Sequence, residues 1–320
     1  MIVSASYKTD IPAFYGPWFM ARLAAGSCRM VNPWGGQVYD VALTPEAVDG
    51  VVFWTKNLRP FRPHLADVRR HFPFVVQYTV NGYPRPLEPS VVERSRAVED
   101  LRALAGDYGP RAGVWRYDPI LVSSLTPPDW HRRNFARLAA ALEGVVDEVV
   151  VSFAHIYRKT RRNLAAAARR HGFNWHDPDA AQKRGLIAEL AAMAAARGIG
   201  LRVCAQSELL AGVARPARCI DAGRLSDVAG RPIAAPEGGN RPGCLCAQSR
   251  DIGHYDTCPH GCAYCYAVQT RSLAKRRFEA HDPGGTFLLP PPASGTRPRT
   301  PTGAGDARGR RHVIREDTQS

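Results

Sequence analysis

Three cysteines in the last quarter of the sequence have a spacing suited to metal chemistry. Cys258, Cys262 and Cys265 lie in the run CPHGCAYC, with three residues between the first two and two between the last two. Iron–sulfur clusters take cysteine thiolates as ligands, and closely spaced cysteines let one loop wrap a cluster. Three ligands would leave one metal position open, as a catalytic site requires. The alternative is a structural zinc site in which His260 or a distant cysteine supplies the fourth ligand.

Four more cysteines lie in the same half of the sequence: Cys204, Cys219, Cys244 and Cys246. Four thiolates complete either an auxiliary iron–sulfur cluster or a closed zinc site. The single residue between Cys244 and Cys246 favours shared ligation by the set. The alternative is that Cys204 and Cys219 are small core residues, a common role of free cysteine. Cys28 stands alone and is expected to be structural.

The segments that must position these residues alternate between short apolar runs and helix-like stretches. This alternation is typical of a parallel sheet covered by crossover helices. No glycine-rich dinucleotide turn follows the first run, which favours a barrel over a doubly wound sheet. We therefore expect an α/β fold, a partial or full parallel (β/α) barrel of the TIM-like kind, with a C-terminal cysteine-rich cluster loop. The predicted strands are residues 1–6, 51–54, 74–79, 113–117, 148–153 and 200–204, and the predicted helices are residues 14–25, 45–49, 60–70, 90–105, 128–143 and 179–197.

Polar residues follow the carboxyl ends of five of the predicted strands. In barrels of this kind these ends converge on one rim that carries the chemistry, so we expect a pocket there. Asp10, Arg116 and Asp118 are the candidate catalytic residues, because carboxylates accept hydrogen bonds from hydroxyls and a guanidinium neutralises a carboxylate or phosphate. The alternative is an internal ion-pair set that fixes the loops. Further candidates are Arg158 and Lys159 for anion binding and His155, His254 and His260 for proton transfer.

Composition limits the class of protein. The chain has 320 residues, of which 45% are hydrophobic and 22% charged, so it can bury a full core. It shows neither an apolar run long enough to span a membrane nor the start of a signal peptide, so we expect a cytoplasmic protein with no membrane partner. A reducing compartment favours metal ligation over disulfides. The net charge of +14 permits a polyanionic partner such as nucleic acid.

The last fifty residues differ in composition from the rest. Residues 271–320 hold ten Lys or Arg and five Asp or Glu, a net charge of +5, and are rich in Pro, Gly and Thr. Such a segment has too little apolar surface to offset the entropy of ordering. We expect a disordered basic tail there, and a barrel-like catalytic domain over residues 1–270 that includes the cysteine-rich region 204–266.

Several motifs carry a resemblance to known proteins. CPHGCAYCYA resembles the CxxxCxΦC motif of the radical S-adenosylmethionine (radical SAM) superfamily, and its YCY ending is similar to that of spore photoproduct lyase and related DNA repair photolyase proteins. Residues 1–270 as a whole resemble a bacterial family described as domain of unknown function eighteen forty-eight. The motifs that carry this likeness are SASYKTDIPAFY, FWTKN, WRYDPI, YRKTRRNL and CLCAQSRDIGHYDTCPHGCAYCYA.

The resemblance implies a radical SAM enzyme with an unknown substrate. Cys258, Cys262 and Cys265 would hold a 4Fe-4S cluster that binds S-adenosylmethionine (SAM) and cleaves it reductively, with an electron donor such as a flavodoxin or ferredoxin. Tyr264 or Tyr266 would pack near the adenine of SAM, with core packing as the alternative. Two features depart from the superfamily pattern: the cysteine loop follows all six predicted strands instead of the first, and no GGE-type motif is present to hold the methionine amino group.

Two other functions stay open at the level of sequence. One is a lyase resembling the DNA repair photolyases, which would act on nucleic acid and bind it with a strong dependence on salt. The other is a non-enzymatic binding module stabilised by zinc, in which the cysteines are structural.

Overall fold

A computed structural model describes residues 1–32, 35–239 and 241–291 of the chain. Contacts divide the chain into a compact unit, Met1–Pro290, and a second unit, Pro291–Ser320, of which only Pro291 is described. The strands are β1 (Ile2–Ala5), β2 (Ser27–Val31), β3 (Val38–Ala42), β4 (Gly50–Thr55), β5 (Phe74–Thr79), β6 (Gly113–Ile120), β7 (Glu148–Phe153), β8 (Gly200–Val203), β9 (Arg215–Pro216) and β10 (Ser249–Asp251). The helices are α1 (Ile11–Phe14), α2 (Gly16–Ala24), α3 (Leu65–His71), α4 (Arg94–Tyr108), α5 (Pro128–Ala141), α6 (Arg158–His171), α7 (Ala180–Ala195), α8 (Ala222–Ala229) and α9 (Arg271–Glu279). No helix in the described part of the chain is long and apolar enough to cross a membrane.

Eight of the strands form one sheet in the order β10-β1-β4-β5-β6-β7-β8-β9, and every neighbouring pair is parallel. Helices connect successive strands from β4 to β8, as parallel neighbours require. The α/β class and all six predicted strands are therefore confirmed. The structure adds β9 and β10 at the two ends of the sheet, and a separate antiparallel hairpin of β2 and β3, none of which the sequence analysis predicted.

Side chains alternate between the two faces of the sheet. On β4, Val51 and Phe53 belong to the large hydrophobic core, while Val52 between them belongs to a second cluster on the opposite face, as expected from the period of two along a strand. We call this second face the inner face. At the amino-terminal ends of the strands it is covered by α8, whose buried Leu225 lies against Gly50 at the start of β4.

The ladders leave β9 and β10 as the two edge strands, and among the described residues no ladder joins them. The segment that follows β9 nevertheless contacts the segment that precedes β10. The amide of Ala247, just before β10, donates to the carbonyl oxygen of Ile220, after β9, at 2.8 Å. Gln77 of β5 donates its side-chain amide to the carbonyl oxygen of Cys219 at 2.8 Å. These contacts bring the segment after β9 across the inner face, but they establish a parallel sheet and not closure into a full barrel.

Five of the six predicted helices match helices of the structure, but residues 45–49 do not. They form a turn in which the amides of Ala47 and Val48 both donate to the carbonyl oxygen of Thr44. The sequence analysis also missed α6 and α8. The reason is clear for α6, because charged residues and alanines dominate it and only two of its residues, Thr160 and Leu164, are buried. Its sequence therefore offers few large apolar residues from which a helix could be predicted.

The expected disorder of residues 271–320 is wrong for the first part of that segment. Helix α9 begins after Thr270, whose side chain accepts a hydrogen bond from the backbone of the first turn, and Ala274 of this helix is buried. Leu288 beyond the helix is buried as well. A polar segment can be ordered by a few contacts with a core that is already folded, and composition does not reveal these contacts. Residues 292–320 lie outside the described residues.

Candidate functional site

The cysteine loop (residues 258–265) lies at the carboxyl ends of β1 and β4, which are neighbours in the sheet. Asp10, which follows β1, ties it there by accepting a hydrogen bond from Nε2 of His260 at 2.8 Å. The same oxygen of Asp10 accepts from the amide of Lys56, which follows β4, at 2.7 Å. The cysteines come late in the sequence, but in space they are neighbours of β1.

Asp10 connects the cysteine loop to the start of α1. Its other carboxylate oxygen accepts from the amide of Ala13 at 3.0 Å and so caps α1. The second ring nitrogen of His260 faces the carbonyl oxygen of Ser90 at 3.3 Å. His260 is thus bonded through both nitrogens to groups other than the thiols, which disfavours it as a fourth metal ligand. The predicted catalytic role of Asp10 stays a prediction.

The three thiols of the cysteine loop are half-buried and close enough to interact electrostatically. Burial raises the pKa of each thiol, that of Cys262 to about 12 although Lys56 lies beside it. Thiolates at this site therefore need a cation for their formation, which a bound metal supplies.

A buried network of polar side chains lies next to Cys262. The ammonium group of Lys56 donates to Glu88 at 2.8 Å and to the hydroxyl of Tyr264 at 3.0 Å, and Tyr264 donates to Glu88. The side-chain amide of Asn81 donates to the Tyr264 hydroxyl at 3.2 Å. Burial lowers the pKa of Lys56, but the charge of Glu88 and its hydrogen bond to the lysine oppose this effect; the pKa is raised overall and the lysine is protonated. The sequence analysis missed Glu88 and Asn81 because they lie in a loop that matches no motif.

The two tyrosines predicted to lie near SAM have different surroundings. Tyr264 is buried, with its ring edge-on to that of Tyr83 at a centroid distance of 5.7 Å, which is the core packing kept as the alternative. Tyr266 is 44% exposed and its hydroxyl donates to the carbonyl oxygen of Tyr7 at 2.9 Å. Only Tyr266 therefore offers its ring to a ligand.

Aromatic and cationic side chains lie together near Tyr266. We call Tyr7, Lys8, Lys159, Tyr255 and Tyr266 the aromatic rim. The ammonium of Lys8 lies 5.3 Å from the ring centre of Tyr7 and 5.7 Å from that of Tyr255, and the ammonium of Lys159 lies 5.8 Å from that of Tyr255. These residues come from the loops after β1 and β10 and from the start of α6, which follows β7. Two of the five predicted strand ends, those of β1 and β7, therefore meet here.

The sequence analysis also named Arg158, His155 and His254 as candidates at the strand ends. Arg158 and His155 are exposed, and the ring of His155 stacks on that of Tyr157 at 5.6 Å. The Nδ1 atom of His254 lies 2.8 Å from the carbonyl oxygen of Tyr255, so this nitrogen carries the proton. Burial lowers the pKa of His254 below its ordinary value. Among the described residues, neither histidine is hydrogen-bonded to another titratable side chain that would relay a proton.

Arg116 and Asp118, both predicted as catalytic, form an ion pair in the interior of the fold. The guanidinium also donates to the side-chain oxygen of Gln77 at 3.0 Å and to the sulfur of Cys219 at 3.1 Å. It lies over the ring of Trp54 at 5.0 Å. Every direction of the guanidinium is thus engaged, which corresponds to the internal ion pair kept as the alternative.

Asp118 is held in its ionised form. Burial by itself raises the pKa of a carboxyl group, but the Arg116 guanidinium and the Ser152 hydroxyl, which donates to Asp118, hold the pKa of Asp118 below its usual range. Buried charged pairs with shifted pKa values are concentrated at functional sites, although structural pairs show them too.

The second set of cysteines comes together on the inner face. The sulfurs of Cys204 and Cys219 lie 3.4 Å apart, and the thiol of Cys246 interacts with those of Cys219 and Cys244. Cys204, Cys219 and Cys246 are buried and belong to the inner hydrophobic cluster. Their proximity agrees with the expectation of shared ligation, while the alternative of small core residues stays compatible with their packing.

Within the described residues, no group of three or more His, Cys, Asp or Glu side chains has the arrangement of a ready metal site. The fit of each cysteine set to a metal is therefore judged from proximity, burial and charge. Three thiols on one short loop beside a fixed ammonium suit a cluster with an open iron. Four thiols from separate segments beside guanidinium groups suit a closed site.

The fold and site define a parallel α/β protein whose carboxyl-terminal cysteines fold back onto the strand ends. The family model described as "Domain of unknown function (DUF1848)" matches residues 2–267, and the chain belongs to this family. No curated protein and no solved structure matches the chain.

Proposed function

We propose that this chain is a radical SAM enzyme in which Cys258, Cys262 and Cys265 hold a 4Fe-4S cluster. The observation that carries the proposal is the attachment of the cysteine loop to the carboxyl ends of parallel strands, where the active sites of (β/α) folds lie. Because His260 is bonded to Asp10 and to a backbone carbonyl, the loop offers three ligands and leaves a fourth metal position open.

Lys56 supports the proposal through its charge. It is protonated, buried and fixed by Glu88 and Tyr264 next to Cys262. A fixed cation beside a thiolate ligand offsets part of the negative charge of a bound cluster and orients the loop that carries it. When bound, the cluster would supply the electron that cleaves SAM to methionine and a 5′-deoxyadenosyl radical, which takes hydrogen from the substrate.

The aromatic rim supports SAM as the ligand. The exposed ring of Tyr266 offers a surface for the adenine, and the ammonium group of Lys159 offers a partner for the methionine carboxylate. The ammonium group of Lys8 is paired with Asp251 at 3.4 Å. The Oδ1 atom of Asn81 is buried and has no hydrogen-bond partner among the described residues. Such an acceptor suits the methionine ammonium group, for which the sequence lacks the usual motif.

The net charge of +14 permits a polyanionic substrate, and nucleic acid is the polyanion to test. Binding to such a substrate should weaken steeply as the salt concentration rises.

Anaerobic reconstitution with iron and sulfide tests the proposal. We expect about four iron and four sulfide per chain, a brown colour with absorption near roughly 400 nm, and release of 5′-deoxyadenosine when SAM and a reductant are added. The triple variant Cys258→Ala, Cys262→Ala, Cys265→Ala should lose the corresponding iron and sulfide and all 5′-deoxyadenosine formation.

The matched control is Cys28→Ala, because Cys28 is a buried cysteine of β2 outside both sets. This variant should keep the iron content and the activity of the parent. A parent chain that takes up no iron or sulfide, or a triple variant that still forms 5′-deoxyadenosine, would refute the proposal. Zinc alone in the parent would instead support the zinc-stabilised binding module.

A further inference from the structure

Four cysteines from three separate segments meet on the inner face. Cys204 follows β8, Cys219 follows β9, and Cys244 and Cys246 precede β10. Their thiols form a continuous series of contacts from Cys204 to Cys219, Cys246 and Cys244. We infer that these four cysteines bind a single zinc-type divalent ion in a closed tetrathiolate site that joins the two edges of the sheet.

The separation of one sulfur pair is closer to that expected around a single metal ion than to that expected on a cluster. Four thiolates bound tetrahedrally to one zinc ion at about 2.3 Å lie about 3.8 Å from one another. Thiolates on a 4Fe-4S cluster lie farther apart, because each of them binds a different iron atom. The 3.4 Å between the sulfurs of Cys204 and Cys219 is close to the value for one shared ion.

Two arginines supply the charge that such a site requires. The guanidinium of Arg116 donates to the sulfur of Cys219 at 3.1 Å, and that of Arg241 donates to the sulfur of Cys204 at 3.3 Å. Four thiolates around a divalent cation carry two net negative charges. The two guanidinium groups offset part of this charge, since Arg116 is also paired with the ionised Asp118. Donors to ligating sulfurs form the outer shell that orients and stabilises metal sites. Binding would release the protons of the four thiols to solvent.

The position of the set indicates a structural role. No ladder joins β9 and β10 among the described residues, and the contacts across this gap are few. One is the bond from Ala247 to the Ile220 carbonyl, and another is the amide of Ile220, which donates to the sulfur of Cys246 at 3.4 Å. A metal ion bound by cysteines near both edge strands would join β9 and β10, which no ladder of backbone hydrogen bonds connects. Four protein ligands leave no position for a substrate, so the site is closed.

The decisive experiment uses the full chain carrying Cys258→Ala, Cys262→Ala and Cys265→Ala, which removes the proposed cluster ligands and keeps the second set. Metal analysis should find about one zinc ion per chain, and X-ray absorption at the zinc edge should show four sulfur atoms at about 2.3 Å. Adding Cys204→Ser and Cys219→Ser should lower the zinc content at least tenfold, whereas adding Cys28→Ala should leave it unchanged.

Other outcomes would overturn the inference. Iron and sulfide retained by the triple variant would identify an auxiliary iron–sulfur cluster. A chain without metal, or a zinc shell with fewer than three sulfurs, would leave the cysteines as core residues or as a disulfide. If the serine variants fail to fold, the absorption spectrum of the triple variant decides. The inference is independent of the proposed function, because a parent with zinc but no iron would refute that function and leave this site standing.

Discussion

Burial sets the protonation state of single residues in this protein. It keeps the thiol of Cys262 protonated, whereas Asp118 stays ionised because Arg116 and Ser152 outweigh the cost of burial. His131 at the start of α5 shows the same effect without a charged partner. It is fully buried, and its pKa is lowered to about 4 by burial, which the hydrogen bond to a backbone carbonyl only partly opposes.

The tautomer of His131 follows from its partners. Its Nε2 atom lies 3.0 Å from the carbonyl oxygen of Leu121, which can only accept, so Nε2 carries the proton. Its Nδ1 atom then accepts from the hydroxyl of Tyr117 at 2.8 Å. The ring is therefore neutral and joins β6, the loop after it and α5.

Stability should depend on pH through His131. Its folded pKa of about 4 lies below the 6.5 of an exposed histidine, so between these values the unfolded chain binds more protons. The stabilisation is complete above pH 6.5 and falls by about 3 kcal/mol as the pH decreases toward 4. Urea unfolding at several pH values should show this loss in the parent and not in His131→Gln.

The control for this prediction is His171→Gln, since His171 is exposed at the end of α6. It should follow the pH dependence of the parent. Parallel stability curves for the parent and His131→Gln would show that the buried ring does not drive the acid sensitivity.

At the scale of elements, α8 closes the amino-terminal end of the inner face. Arg224 of this helix is 2% exposed and reaches between two strand starts. It donates to the carbonyl oxygen of Arg111, before β6, at 3.0 Å, and to Asp147 at 2.9 Å and Glu148 at 3.3 Å at the start of β7. Burial raises the pKa of Glu148, and the Arg224 charge opposes the rise only in part. One side chain thus attaches α8 to two strands of the sheet.

Arg224→Met should destabilise the fold strongly. The substitution keeps the apolar stem but leaves Glu148 buried with less compensation, and breaking a buried pair costs about 3–5 kcal/mol. The free energy of unfolding in urea measures the effect. Arg218→Met is the matched control, because its ion pair with Glu237 is exposed and should contribute less than about 1 kcal/mol. Equal effects of the two substitutions would contradict the role of Arg224.

At the scale of the whole molecule, the last described segments return to the first ones. The cysteine loop is tied to Asp10 after β1, and α9 packs against the first helices. The ring of Phe278 in α9 contacts those of Phe14 and Tyr15 at centroid distances of 5.5 and 5.6 Å. After α9, the amide of Arg29 in β2 donates to the carbonyl oxygen of Thr286 at 2.9 Å. Residues 271–290 therefore belong to the folded unit.

Truncation tests this conclusion. A chain ending at Thr270 should lose about 3 kcal/mol of stability relative to a chain ending at Pro291, because it loses the buried Leu288 and the hydrogen bond from Trp18 to the carbonyl oxygen of Gly285. Midpoints of urea unfolding compare the two chains. Identical midpoints would mean that α9 contributes nothing to the fold.

Sequence alone predicted the elements that have strong local signals. The apolar runs of β4, β5 and β7 were read because strands buried on both faces are continuously hydrophobic. The three-residue strand β10 and the two-residue strand β9 have no such signal, since their pairing depends on the neighbouring strand. Of the site residues, Cys258, Cys262 and Cys265 were found from their spacing. Glu88 and Arg241 were missed, because their partners are distant in the chain.

What the sequence by itself determined is therefore the class of fold and the chemical character of the cysteines, because periodicity and ligand spacing are local properties of a chain. The tertiary structure decided which of these residues are neighbours: Cys262 and Lys56, Cys204 and Cys219, Asp10 and His260. Each of these contacts depends on the parallel sheet, whose crossover connections bring residues from separate segments to the same edge or face.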